Sequence, residues 1–294
     1  LLSKTPFTAR TAATKPGHCR VLMSDKLTEL LGLLDLEQID ESIFRAGHPA
    51  SRTKRLFGGQ IMAQALMAAM RTVELGRCVH SLHGYFLRPG TPRVPAIIRV
   101  ERTRDGRSFS TRRVLVTQSG EIIFSMDASF QKAQDGLSHQ TRMPDLQPPP
   151  LEKIPAALLE PAFITWRHDF RRLQSETPQP PEQCVWFKVT GEVPADPALH
   201  ACLLVYESDT ALLGTARLPH RGRFQRDQMQ VASLDHAMWF HRPCEINQWL
   251  LYVVDSPSTG AARGFTRGNI FSEEGALIAS TVQEGLIRVP GFSD

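Results

Sequence analysis

The sequence predicts an α+β fold built twice in one chain of 294 residues. Three observations predict it. First, the stretch VASLDHAMWFHRP at Val231–Pro243 has a fainter copy, HSLHGYFLRP, at His80–Pro89, and the two Arg-Pro pairs stand 154 residues apart. Second, each copy sits in the same succession, a long apolar helix and then antiparallel strand runs. Third, residues 136–183 hold 9 of the 21 prolines. Proline removes amide donors and fixes φ, so this stretch reads as a linker crossing the surface between two halves. The expected organisation is a unit over 24–135, the linker over 136–183 and a second unit over 184–290.

Taken in order, residues 1–22 carry Lys4, Arg10, Lys15 and Arg20, and the first acid comes only at Asp25. They read as a disordered or artefactual extension, with the true start near Met23. Leu27, Leu30, Leu31 and Leu34 then follow the i, i+3, i+4, i+7 spacing of an amphipathic helix capped by Ser24 or Asp25. Leu56–Thr72, almost free of charge and rich in Ala, Met, Gln and Leu, reads as a helix apolar nearly all round and therefore buried. His80–Leu87, Ala96–Thr103, Ser108–Gln118 and Glu121–Gln131 read as a four-strand meander with a turn at Ser119-Gly120. A helical patch is expected at Phe163–Leu173. The second half replays the first: a strand at Val185–Glu192, a buried helix at His200–Leu213, and strands at Val231–His241, Trp249–Asp255, Ala262–Phe271 and Ala276–Ile287. Arg113 matches Arg267 at the same 154 offset, and Gly120 matches Gly275 after one insertion.

Composition excludes several classes. The chain is 41% apolar and 22% charged, with net charge +4 and basic residues spread along it, which is no nucleic-acid signature. No apolar run is long enough to span a bilayer. Five cysteines without CxxC spacing point away from a disulfide framework or a zinc site and towards a reducing compartment. The G-x-S-x-G elbow, P-loop, G-x-G-x-x-G and H-E-x-x-H motifs are all missing. Hydrolysis would therefore use activated water rather than a covalent intermediate.

Three polar residues stand where the pattern predicts burial. Asp209 lies mid-helix between LLVY and ALL, Ser233 opens the central strand of the second half, and Gln283 lies inside the last strand, TVQEG. The first-half counterpart of Gln283 is Ala128, so only the second half carries the amide. A carboxylate can take a proton from water while an amide and a hydroxyl orient that water. Gly58 and Gly59, with Gln60, open the buried helix of the first half. They could meet an oxyanion there, or serve only close packing of helix on sheet. Strand alternation puts Ser233 and Asp235 on one face and denies Asp235 and His236 a dyad. His236 and His241 read as structural or interfacial. Leu234, Met238, Trp239 and Phe240 read as core.

Together, LFGGQ with its Ala-rich helix, HSLHGYFLRPG, RTRDGRSFSTRRV, ASFQ, SLDHAMWFHRP, ARGFTRG and ASTVQEG resemble the acyl-CoA thioesterase II family, from about Leu27 to Val289. The resemblance implies a double hotdog, two units each with a long helix wrapped by an antiparallel sheet. It implies hydrolysis of fatty acyl-CoA to free acid and CoA, without cofactor or metal, by Asp209, Ser233 and Gln283. Ser233 replaces the more usual Thr and keeps the hydroxyl. The GFSD terminus lacks an S-K-L address and points to a bacterial cytoplasmic member in fatty acid metabolism. A homo-oligomer, dimer or tetramer, is expected. A non-catalytic acyl-CoA binding module and a hotdog enoyl-CoA hydratase are the rival readings.

Overall fold

The computed structural model describes residues 25–48, 55–159, 161–168, 174–224 and 228–289. The extension over 1–22 and the Ser24 cap lie outside the described residues. Helix α1 (Asp25–Leu34) buries Leu27, Leu30 and Leu34, as its spacing requires. Two short strands that the sequence pattern does not announce follow, β1 (Glu37–Asp40) and β2 (Ile43–Ala46). Helix α2 (Gly58–Met70) starts at the glycine pair, and all its residues from Gly59 to Ala69 are buried. The first run of long strands is β3 (Arg77–Phe86), β4 (Ala96–Asp105), β5 (Phe109–Gln118) and β6 (Glu121–Lys132).

The Pro-rich stretch then carries a strand, β7 (Phe163–Arg167), over the first part of the expected helical patch, whose residues 169–173 lie outside the described residues. Cross-strand pairing with β8 (Glu182–Val189) explains the correction, Thr165 standing opposite Phe187 and Trp166 opposite Trp186. Local spacing cannot report a partner that lies outside the window. Helix α3 (Pro197–Ser208) is capped by Asp196, whose carboxylate accepts from the Ala198 amide, with Pro at the first turn. A short α4 (Leu212–Ala216) follows. The chain ends in β9 (Gln230–Ser233), β10 (Asp235–Phe240), β11 (Leu250–Gly260), β12 (Arg263–Ser272) and β13 (Leu277–Arg288).

All strands join one 13-stranded antiparallel sheet in the order β1-β2-β4-β5-β6-β3-β10-β13-β12-β11-β8-β7, with β9 beside β13. Outward from the central β3–β10 seam the two halves read alike: β3, β6, β5, β4, β2 on one side and β10, β13, β12, β11, β8 on the other. The halves are therefore not simple meanders. β3 pairs with β6, not with β4, and β10 with β13, not with β11, because the first of the last four strands in each half returns to pair with the final one. Gly120 and Gly275 hold φ of 84° and 88° at corresponding hairpin turns, which accounts for the glycine match in the sequence.

α2 and α3 pack against each other under the sheet, and a single apolar core joins them to its concave face. Strand alternation sends the other set of residues outward. In the second half, Trp186, Trp249, Leu251, Phe271 and Leu277 form a separate cluster covered by Met143, Leu146, Ile154 and Leu158 of the linker. Gln140 pins that cover to the β12–β13 turn by bonds to Gly275 O and Leu277 N. Trp239, expected in the core, is 44% exposed on the outer face, outside this cover.

Candidate active site

The site forms where the C-terminal end of α3 meets the N-terminal end of α2. Asp209 is not mid-helix. It is the C-cap of α3, at φ −80° and ψ −9°, where a polar side chain leaves the helix cylinder. Its Oδ2 accepts the Gly59 amide at 3.0 Å, and its Oδ1 accepts Gln283 Nε2 at 2.6 Å. The Ser233 hydroxyl stands near this carboxylate and favours its charged form. The three candidates from separate stretches thus converge on one group.

The glycine pair makes the convergence possible. A Cβ on Gly58 would lie 2.7 Å from Asp209 Oδ2 and 3.0 Å from the Phe86 ring, and a Cβ on Gly59 would run into the Tyr206 carbonyl. First-turn amides of a helix have no partner within it. Gly59 gives its amide to Asp209, and the Gly58 backbone lies close against the same carboxylate. The Gln60 side chain turns to His48 Nδ1 at 2.9 Å and away from Asp209.

A one-residue bulge aims Ser233. Ser233 stands opposite Gly285 on β13, and Ala237 opposite Val282, so four steps on one strand match three on the other. Leu234 absorbs the extra residue, donating to Glu284 O and accepting from Phe86 N. Bulges re-aim side chains in this way. The expectation that Ser233 and Asp235 share a face is therefore corrected. Ser233 turns to Asp209, and Asp235 turns to His83 Nε2 at 3.2 Å and the Glu284 amide at 2.7 Å. His236, read as structural, is fully buried at the site, with Nδ1 3.2 Å from Gln283 Nε2 and Nε2 3.1 Å from Ser208 Oγ.

Burial pushes the Asp209 carboxyl up to about 6, and the bonds from Gln283, Gly59 and Ser233 hold it from rising further. Burial likewise raises Glu207, two residues earlier, to about 8, against a bond from Thr210 Oγ1. Burial drives His236 down to about 3, so its ring is neutral near pH 7. Perturbed groups of this kind cluster at working sites.

Asp209, Ser233 and Gly58 line a cavity of about 1010 Å³. Phe57, Phe86, Leu213 and Leu218 give it apolar wall, and Arg55, Arg88, Arg167, Arg217 and Arg221 give it positive charge. These arginines come from separate stretches, and no local spacing marks them. Among the described residues no group of three or more His, Cys, Asp or Glu is placed to hold a metal ion. The first half lacks this constellation: Ala128, at the position matching Gln283, is buried, and Arg71 caps α2 where Asp209 caps α3.

Residues 168–286 match the family model for acyl-CoA thioesterase, and residues 48–131 that for the acyl-CoA thioesterase N-terminal domain. Acyl-CoA thioesterase 2 of Haemophilus influenzae is 41% identical over 283 residues, covering 90% of this chain and 99% of its own. Human acyl-coenzyme A thioesterase 8 is 39% identical over 283 residues, covering 87% and 88%. The crystal structure of acyl-CoA thioesterase II TesB2 from Mycobacterium marinum superposes with a TM-score of 0.77 at 45% identity, covering 90% and 99%. A hot dog fold protein from Alicyclobacillus acidocaldarius superposes at 0.72 with 21% identity, covering 89% and 98%, which shows the hotdog fold. The chain belongs to the acyl-CoA thioesterase II family of thioester hydrolases.

Proposed function

We propose that the protein hydrolyses fatty acyl-CoA thioesters with water activated by Asp209, on two hotdog units fused in one chain. The observation that carries this reading is the carboxylate itself. A carboxylate offers about four lone-pair sites, and Gly59 and Gln283 fill two of them while the Ser233 hydroxyl stands close by. The rest leave room for a water at the cavity wall. The Asp209 pKa of about 6 leaves the group ionised near pH 7, yet more basic than an ordinary aspartate.

In this mechanism water loses a proton to Asp209 as its oxygen bonds to the thioester carbon. The Gly58 amide, at the positive end of α2, meets the developing oxyanion. The C–S bond then breaks, and the proton on Asp209 passes to the departing sulfur, giving CoA thiol and free acid. The cavity arginines suit the phosphates of CoA, and the apolar wall suits an acyl chain. No metal or cofactor takes part in this scheme.

The finer settings belong to the same proposal. Four described cysteines are free thiols, which fits a reducing cytoplasm. No helix of the described residues is long and apolar enough to cross a membrane. The outermost strands β1 and β7, each with one edge unpaired among the described residues, fit a homo-oligomer. The deciding experiment is a thiol-release assay on acyl-CoAs of graded chain length, run beside Asp209→Asn. Folded Asp209→Asn with near-normal release would sink the mechanism, and binding without hydrolysis in the parent protein would favour a binding module.

A further inference from the structure

His236 is the one buried ionisable ring touching the constellation, and the mechanism above gives it no task. Its hydrogen bonds can be assigned from chemistry alone. An ionised carboxylate only accepts, so the Gln283 atom 2.6 Å from Asp209 Oδ1 must be the amide nitrogen. The same nitrogen stands 3.2 Å from His236 Nδ1 and brings a second hydrogen, so Nδ1 must present a lone pair. A neutral ring then carries its proton on Nε2 and donates it to Ser208 Oγ, 3.1 Å away. Ser208 can accept because its own hydrogen goes to Val205 O at 2.8 Å. Tyr252 holds the same turn, its hydroxyl 3.0 Å from Ser208 O. Every donor in the chain from Ser208 to Asp209 meets an acceptor, and within that chain Gln283 Oε1 is left without a protein partner among the described residues.

We propose that His236 is a positioning residue: its unprotonated Nδ1, set by the Ser208 hydroxyl, locks the Gln283 amide with its nitrogen on Asp209 and its oxygen left open as an acceptor. The inference rests on the reading of Asp209 as the base. Without the Nδ1 lone pair, one hydrogen of the Gln283 amide loses its acceptor in a buried site, and the amide is free to rotate. A rotated amide would set Oε1 against the carboxylate. Asp209 would lose a bond to its charged form and become harder to ionise.

The groups facing this chain are few. Ser208, Asp209 and Glu207 come from α3, Gln283 and Thr281 from β13, Tyr252 from β11 and His83 from β3. Burial foremost, with His83 adding to it, keeps His236 neutral. The acid limb of activity therefore belongs to Asp209, and His236 acts on it only through Gln283.

The test uses the full chain and four variants. His236→Leu removes both ring nitrogens at similar size. His236→Asn returns an acceptor near the Nδ1 position. Ser208→Ala removes the acceptor that fixes the tautomer, and Asp209→Asn controls for the underlying reading. Thiol release gives kcat, KM and the acid limb, and circular dichroism checks folding. His236→Leu should lose about 10²-fold in kcat with KM nearly unchanged, and its residual activity should show a higher acid limb. His236→Asn should recover at least about tenfold of that loss. Ser208→Ala should shift the limb the same way by less, and it decides the matter should His236→Leu not fold. Wild-type kcat and limb in folded Ser208→Ala, or no recovery in folded His236→Asn, overturns the positioning role. Full turnover in Asp209→Asn would instead overturn the base beneath it. A dead Asp209→Asn beside unaltered His236→Leu and Ser208→Ala removes the positioning role alone.

Discussion

The Asp209 carboxyl makes a prediction that an ordinary aspartate does not. With a pKa of about 6, against 3.8 for an ordinary aspartate, it is about ten-elevenths ionised at pH 7 and about one-eleventh at pH 5. kcat/KM should therefore fall about tenfold between those two pH values if the ionised form is the base. A carboxyl at 3.8 would still be more than about 90% ionised at pH 5, and the profile would be nearly flat. The cause of the shift is burial at the C-cap of α3, opposed by the hydrogen bonds from Gln283 and Gly59 and by the nearby Ser233 hydroxyl, so removing one of them has a known sign. Gln283→Ala should move the limb up, because the amide favours the charged form. The assay is thiol release with a reagent that works in acid, at substrate well below KM, with circular dichroism at each pH. A limb near 4 in the folded wild type, or one unmoved by Gln283→Ala, would refute the assignment of Asp209 as a partly buried base.

Other perturbations follow from the same geometry. Ionising Asp209 destabilises the fold, since its pKa is raised on folding. Stability falls as pH rises from about 4 to about 6 and the loss, roughly 3 kcal/mol, is complete above that. Asp209→Asn should therefore be more stable than wild type at pH 8 by about 1–2 kcal/mol, the remainder being lost where its amide nitrogen meets a donor; a lower denaturation midpoint would contradict this. Gly58→Ala puts a methyl 2.7 Å from Asp209 Oδ2 and should lower kcat by about 10²-fold in a folded protein, checked by kinetics beside thermal melting. Gln283→Glu sets a second carboxyl against Asp209 Oδ1, so the acid limb should climb above its wild-type position and activity at pH 7 should drop, read from the pH profile. Arg112, 1% exposed, binds Thr72, Asp105 and the carbonyls of Arg104 and Thr111. Arg112→Leu should cost about 3 kcal/mol of stability with kcat intact, measured by urea unfolding.

Much of this protein is written locally. The leucine spacing of α1, the uncharged run of α2 and the alternation of the long strands each depend on pattern within a short window, and the two copies 154 residues apart are visible as similar strings. The odd polar residues Asp209, Ser233 and Gln283 stand out for the same reason, because a polar residue in an apolar pattern is visible without a partner. What a side chain faces is decided elsewhere. The bulge at Leu234 exists only as a mismatch between β9–β10 and β13, so alternation read along one strand set Ser233 beside Asp235 instead of Asp209. β7 is a strand because β8 pairs with it, and β3 pairs with β6 across 49 residues of chain between His80 and Ser129. The tautomer of His236 is set by what lies against each nitrogen, Ser208 from one element and Gln283 from another. The sequence by itself determined the elements, the repeat and the chemistry available, because those reside in short-range pattern. Only the tertiary structure decided which groups meet and who donates to whom, because hydrogen-bond direction and burial are properties of neighbours brought together from distant parts of the chain.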